Sequence, residues 1–149
     1  MTNPRFQDQN KQLSDFDTEV WVSCPACKKQ AIARADAQRK EARLNCVWCG
    51  YNKKATMEVH YRPDRTAVLL LPAHRYFGAE LWFQAPFRSH IFMAYNPEHL
   101  AYLEQYIGAL LREHNDRKGF TLIEKLPGFY HQAKNREALL KLIANLKSK

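Results

Sequence analysis

Residues 19–61 read EVWVSCPACKKQAIARADAQRKEARLNCVWCGYNKKATMEVHY, and two C-x-x-C pairs inside this stretch, Cys24/Cys27 and Cys46/Cys49, decide how it must fold. All four cysteines of the chain lie here, with eighteen residues between the pairs. Two intervening residues let a tight turn present both sulfurs of a pair to one ion, and the interval matches the C-x₂-C-x₁₅₋₂₀-C-x₂-C pattern of tetrahedral zinc sites. The competing interpretation, two redox-active motifs, asks for a βαβ setting that neither pair has. The spacing therefore predicts one structural zinc ion held by Cys24, Cys27, Cys46 and Cys49.

The flanking residues read as short strands. Glu19–Ser23 leads into the first pair and Lys29–Ala35 leaves it; Glu41–Cys46 runs back to the second pair and Ala55–Tyr61 leaves that. Gly50 follows the last cysteine, where a tight loop needs positive φ without a Cβ. Strands this short around one ion bury little apolar surface, so the metal is expected to supply much of the folding free energy. Residues 1–18, without periodicity, are expected to be a flexible leader, and 19–61 the ribbon.

Residues 62–149 read as an α+β region. Strands are expected at about 66–71, ended by Pro72, at about 80–84, stopping at Ala85-Pro86, and at about 90–95. Their continuous apolar character suggests burial on both faces or a covering helix. Asn96-Pro97-Glu98 carries N-cap, first-turn proline and first-turn acid signals, and Leu100, Leu103, Ile107, Leu110 and Leu111 recur at helical steps, predicting a helix over about 97–116. Asn135 is placed to cap a second helix over about 136–147, whose Leu139, Leu142, Ile143 and Leu146 form one face. The expected class is α+β: an N-terminal four-cysteine zinc ribbon of short antiparallel strands, then a small antiparallel sheet packed with two C-terminal helices.

The order ribbon, Leu81-Trp82, Ala94-Tyr95-Asn96-Pro97-Glu98-His99-Leu100, then Lys125-Leu126-Pro127 and Ala133-Lys134-Asn135-Arg136 resembles small bacterial zinc-ribbon proteins of the transcription-factor-IIB type. These are sometimes described as relatives of the replication-restart helicase, and the family has no assigned activity. The resemblance implies a structural zinc and nothing definite about function. Relatives can carry a further cysteine pair between the second and third strands of the middle region; Pro86-Phe87-Arg88 stands there in this chain.

Charge narrows the function classes. The 149 residues carry a net charge of +8, and residues 21–60 alone carry +5. Lys28, Lys29, Arg43, Lys53 and Lys54, with Trp48 and Tyr51 beside the second pair, suit phosphate contact and base stacking, so a nucleic-acid partner is one expectation. The same surface also suits a protein-binding module that docks or neutralises an acidic partner, as an immunity or antitoxin protein does. Catalysis is not expected: four thiolates fill the metal's shell, the six histidines form no H-x-x-x-H arrangement, and no glycine-rich phosphate loop is present. The absence of an 18-residue uncharged apolar run and of an N-terminal apolar h-region leads to the expectation of a cytoplasmic protein.

Overall fold

The computed structural model describes residues 5–7, 16–108, 111–113, 127–130 and 132–149. The chain is α+β, with antiparallel strands and two helices, and divides into two compact units. One unit comprises Phe16–Phe83 and Ala94–Asn96; the other comprises Met1–Asp15, Gln84–Met93 and Pro97–Lys149. The first strand, β1 (Arg5–Gln7), falls in the second unit.

The cysteine-bearing unit is built on a four-stranded antiparallel meander of β2 (Glu19–Ser23), β3 (Gln30–Asp36), β4 (Glu41–Asn45) and β5 (Asn52–Thr56), in that spatial order. The three strands expected before the second cysteine pair are present. Alternation sets their faces: Val20, Val22, Ala31, Ala33, Ala42 and Leu44 are buried, with Val20 opposite Ala33 and Ala33 opposite Leu44. Half of these six are alanines, and a 3₁₀ turn, Ala73–Tyr76, packs on β2, β3 and β4.

The expected last ribbon strand, Ala55–Tyr61, is in fact two. Its first part belongs to β5, and the chain turns at Met57 to begin β6 (Glu58–Arg62), which pairs with β7 (Arg65–Val68) in a separate hairpin. Met57 is the pivot: it is buried, its N–H donates to the Lys40 carbonyl at 2.9 Å and its carbonyl accepts from Leu69 N–H at 2.7 Å.

The free edge of β2 is paired further along the chain. Trp21 N–H donates to Tyr95 O at 2.7 Å, Trp82 N–H to Trp21 O at 2.9 Å and Ser23 N–H to Glu80 O at 2.9 Å. Asn96 is buried, and its amide nitrogen donates to Phe16 O at 2.9 Å and Glu19 O at 2.8 Å. Its amide group thus ties the end of this unit to the beginning, a task that the helix-start signal did not reveal. Phe16, in the stretch expected to be a flexible leader, is buried.

The strands β8 (Phe83–Phe87) and β9 (His90–Ala94), of which Gln84–Met93 belongs to the second unit, form a hairpin closed by Arg88 and Ser89. The strand expected to stop before Pro86 runs through it; a two-stranded hairpin leaves one side of β8 without a ladder, where a missing N–H costs little. Burial is one-sided, correcting the expectation of strands covered on both faces: Phe92 is buried while Ile91 and Met93 are 60% and 40% exposed.

The helix α1 (Pro97–Gly108) ends eight residues before the expected 116, at a glycine, which is a poor helix former. Leu111–Glu113 is instead β10, paired parallel with β1; Leu110 and residues 114–116 lie outside the described residues. The last helix, α2 (Arg136–Lys147), has the expected bounds and packs on α1. Leu139, Ile143 and Leu146 are buried, but Leu142, read as part of the same face, is only half-buried. Asn135 sits at the N-cap position without a side-chain cap bond. It is 2% exposed, and its Oδ1 accepts from Arg88 Nη1 at 2.6 Å while its Nδ2 donates to Phe129 O at 3.2 Å. The side chain expected to cap the helix instead locks the β8–β9 turn. No helix among the described residues is long and apolar enough to cross a membrane.

The different burial of neighbouring positions on α2 gives the first prediction. Ile143→Ala should destabilise the protein by about 2–4 kcal/mol in urea unfolding followed by helical circular dichroism, because it opens a cavity at a fully buried site. Leu142→Ala should cost clearly less, under about 1.5 kcal/mol. Equal losses would place Leu142 in the core.

Candidate metal centre

Each cysteine pair sits in a loop at a strand end, and the two loops share one hydrogen-bond scheme. In the first, Lys28 N–H donates to Cys24 O at 2.9 Å and Cys24 N–H to Lys29 O at 2.8 Å. In the second, Gly50 N–H donates to Cys46 O at 3.0 Å and Cys46 N–H to Tyr51 O at 2.8 Å. The residue four positions after the first cysteine takes positive φ in both, 66° at Lys28 and 80° at Gly50. The glycine follows the sequence expectation. Lys28 in the left-handed region was not foreseen, since side chains usually avoid it.

These loops bring four sulfurs together. The four Sγ atoms lie within 4.8 Å of one another, with Cys24 to Cys49 at 3.7 Å and Cys27 to Cys46 at 3.6 Å. A disulfide requires a sulfur separation of ~2.05 Å, and all four cysteines are free. A regular tetrahedron with metal–sulfur bonds of ~2.3 Å has sulfurs ~3.8 Å apart. The observed separations fit that figure, so the four residues are positioned to hold one metal ion. Cys24 and Cys46 are buried, Cys27 is half-buried and Cys49 is exposed, which leaves one side open to an entering ion.

Protonation follows from the crowding. Burial pushes the Cys24 thiol up, but hydrogen bonds from the Cys27 and Ala26 amides, with smaller help from the Cys49 and Cys46 thiols, outweigh it and bring it down to about 7. At Cys49 the Tyr51 amide favours the thiolate, yet desolvation and the three neighbouring sulfurs push the thiol up to about 12. Four thiolates without a cation repel one another; a divalent ion reverses that balance and deprotonates its ligands. The donor set is entirely sulfur, which selects soft or borderline metals, and four ligands complete a tetrahedral shell.

The residues expected to form one basic surface divide among three places. Lys28, Lys29, Trp48 and Tyr51 lie in the two cysteine loops, where Lys29 Nζ stands 4.9 Å from the Trp48 ring centroid. Trp48 is 63% exposed and its neighbour Val47, which the sequence reading passed over, 82%. Arg43 and Lys54 lie opposite each other on the outer sheet face, in register with Arg34. Carboxylates accompany them: Arg34 is 2.8 Å from Glu19, and Glu41 is 4.0 Å from Arg43 and 3.6 Å from Lys54. Lys53, one residue from Lys54 on β5, points to the opposite face. Counting charges along the chain could not register this partial neutralisation, which depends on cross-strand neighbours.

No family profile, curated protein or solved structure matches the chain.

The shared loop geometry makes an asymmetric prediction. Gly50→Ala should cost the metal-loaded protein about 1–2 kcal/mol, because a side chain then enters the left-handed region. Lys28→Gly should be neutral or stabilising by up to about 1 kcal/mol. Thermal melts with bound metal check both, and a Lys28→Gly variant that melts much earlier would show that the lysine side chain holds the loop.

Proposed function

We propose that this chain is a non-catalytic zinc-ribbon protein whose cysteine loops bind single-stranded nucleic acid. The zinc assignment is supported by the all-sulfur donor set and the near-tetrahedral sulfur spacing. With four protein ligands the ion keeps no position for substrate or activated water, so its role is structural: it draws together two loops on a sheet with a thin, alanine-rich core. The observation that carries the binding assignment is Trp48, mostly exposed with a lysine ammonium over its ring. An exposed indole offers a stacking platform for a base, and Lys28 and Lys29 supply charge for the adjoining phosphates.

The protein should contain one zinc per chain by elemental analysis. Cys46→Ser should lose it and melt the sheet, while most helical circular dichroism remains. A metal-free wild-type protein with an intact sheet would overturn the structural role.

In mobility shifts at low salt, Trp48→Ala should lose about 1–3 kcal/mol of affinity for single strands. Joint replacement of Lys28 and Lys29 by Glu should weaken binding to all sequences and flatten its salt dependence. No shift at micromolar protein would remove nucleic acid as the partner. The exposed Val47–Trp48 pair favours a second reading, docking to a protein; a tight complex unaffected by nuclease and lost with Trp48→Ala would establish it.

A further inference from the structure

A cleft in the helical unit, remote in chemistry from the cysteine loops, has no part in the reading above. Its volume is about 330 Å³ and it is lined by Arg88, Ser89, His90, Gln132, Lys134 and Asn135, over a floor of Phe87 and Phe129. The lining holds an arginine, a lysine, a histidine and neutral donors, and no carboxylate is among its described residues. Elsewhere the contrast is sharp: on the outer sheet face the arginines meet carboxylates within 4.0 Å.

Arg88 takes φ of 54°, which the first position of a two-residue hairpin turn demands and which glycine or asparagine adopts at lower cost. Its guanidinium is pinned from two sides, by the 2.6 Å bond to buried Asn135 and by the Phe87 ring 5.2 Å away. The Asn135 bond uses one of the five N–H donors of a guanidinium. Asn135 spends its oxygen on Arg88, and no side-chain cap covers the start of α2. His90, also in the lining, stacks on Phe129 with ring centroids 4.5 Å apart and an interplanar angle of 13°. An arginine anchored at two points, sharing with an exposed lysine a cleft that has no carboxylate among its described lining residues, suits an oxyanion.

We infer that this cleft binds a phosphate dianion, through Arg88 and Lys134, with the His90 ring available to a planar group attached to it. Two sources share that chemistry: a free phosphate or nucleoside monophosphate, and the terminal phosphate of an oligonucleotide. Binding here does not depend on Trp48.

The test is a titration of the zinc-loaded full chain, followed by amide and side-chain NMR shifts, at constant ionic strength with phosphate replacing chloride. Inorganic phosphate should give saturable shifts centred on Arg88, Ser89 and Lys134. Adenosine monophosphate should add shifts at His90 if a free nucleotide is the natural source. An oligonucleotide with a 5′-phosphate should outcompete its 5′-hydroxyl counterpart at this cleft if a strand end is. Arg88→Gly suits the positive φ and should keep the turn, yet weaken phosphate binding at least tenfold; Lys134→Gln should weaken it several-fold with an unchanged melting temperature. Trp48→Ala should leave phosphate binding at the cleft intact, which separates this site from the stacking surface. Shifts absent at 10-millimolar-scale phosphate (roughly the weak-binding limit for a single anion contact), equal shifts with chloride alone, or shifts that survive both cleft variants would overturn the assignment.

Discussion

Four sulfurs gathered within 4.8 Å, two of them buried, form the constraint around which the N-terminal unit is arranged. Without a cation, thiolates in such a cluster repel one another, and against the Tyr51 amide, desolvation and the neighbouring sulfurs push the Cys49 thiol up. The sheet that carries it has little apolar material with which to offset that cost. A buried alanine methyl contributes on the order of 0.8 kcal/mol, against ~1.5–3 for a leucine or valine side chain, and the inner face presents Ala31, Ala33 and Ala42. The 3₁₀ turn at Ala73–Tyr76 packs against the strands that carry these alanines. Metal binding, loop geometry and the thin core are thus one physical problem with one solution, in which both loops adopt the same hydrogen bonds.

A similar trade-off governs the surface. Residues 21–60 carry a formal excess of five positive charges, but the antiparallel register lines up Glu19, Arg34, Arg43 and Lys54 across the sheet and brings Glu41 among them. Exposed pairs of this kind contribute ~0–1 kcal/mol each to stability. Their larger effect is on the electrostatic field, which they flatten over the broad face; at the cysteine loops Lys29 instead stands over the Trp48 ring.

Features governed by local chemistry were legible in the sequence: the cysteine spacing, positive φ at Gly50, strands β2 to β4, and the span of α2. Features that depend on distant backbone were not. Asn135 carries a strong helix-cap signature, yet its oxygen is drawn to Arg88, while the amide nitrogen of Asn96 reaches Phe16 and Glu19, bonds that a helix-start pattern does not encode. At Asn135 a cap bond and the bond to Arg88 compete for the same side-chain oxygen, and no local pattern says which partner is nearer. Met57 likewise looks like one more strand residue until the carbonyl of Lys40 and the amide of Leu69 are in view. Leu142 fits the helical stripe by spacing alone, but one stripe is wider than the contact it serves.

The return of Ala94–Asn96 to the cysteine-bearing unit has a consequence for how the protein is made. Strand β2 is synthesised before its edge partners: the amide of Trp21 finds its carbonyl partner only at Tyr95, and the bonds from Asn96 to Phe16 and Glu19 span almost the whole unit. The four cysteines are synthesised well before that, so a metal ion held by them would already be in place while the edge of β2 is still bare. Metal capture would then act as a nascent-chain clasp, holding the sheet in register until the final three residues arrive to seal it.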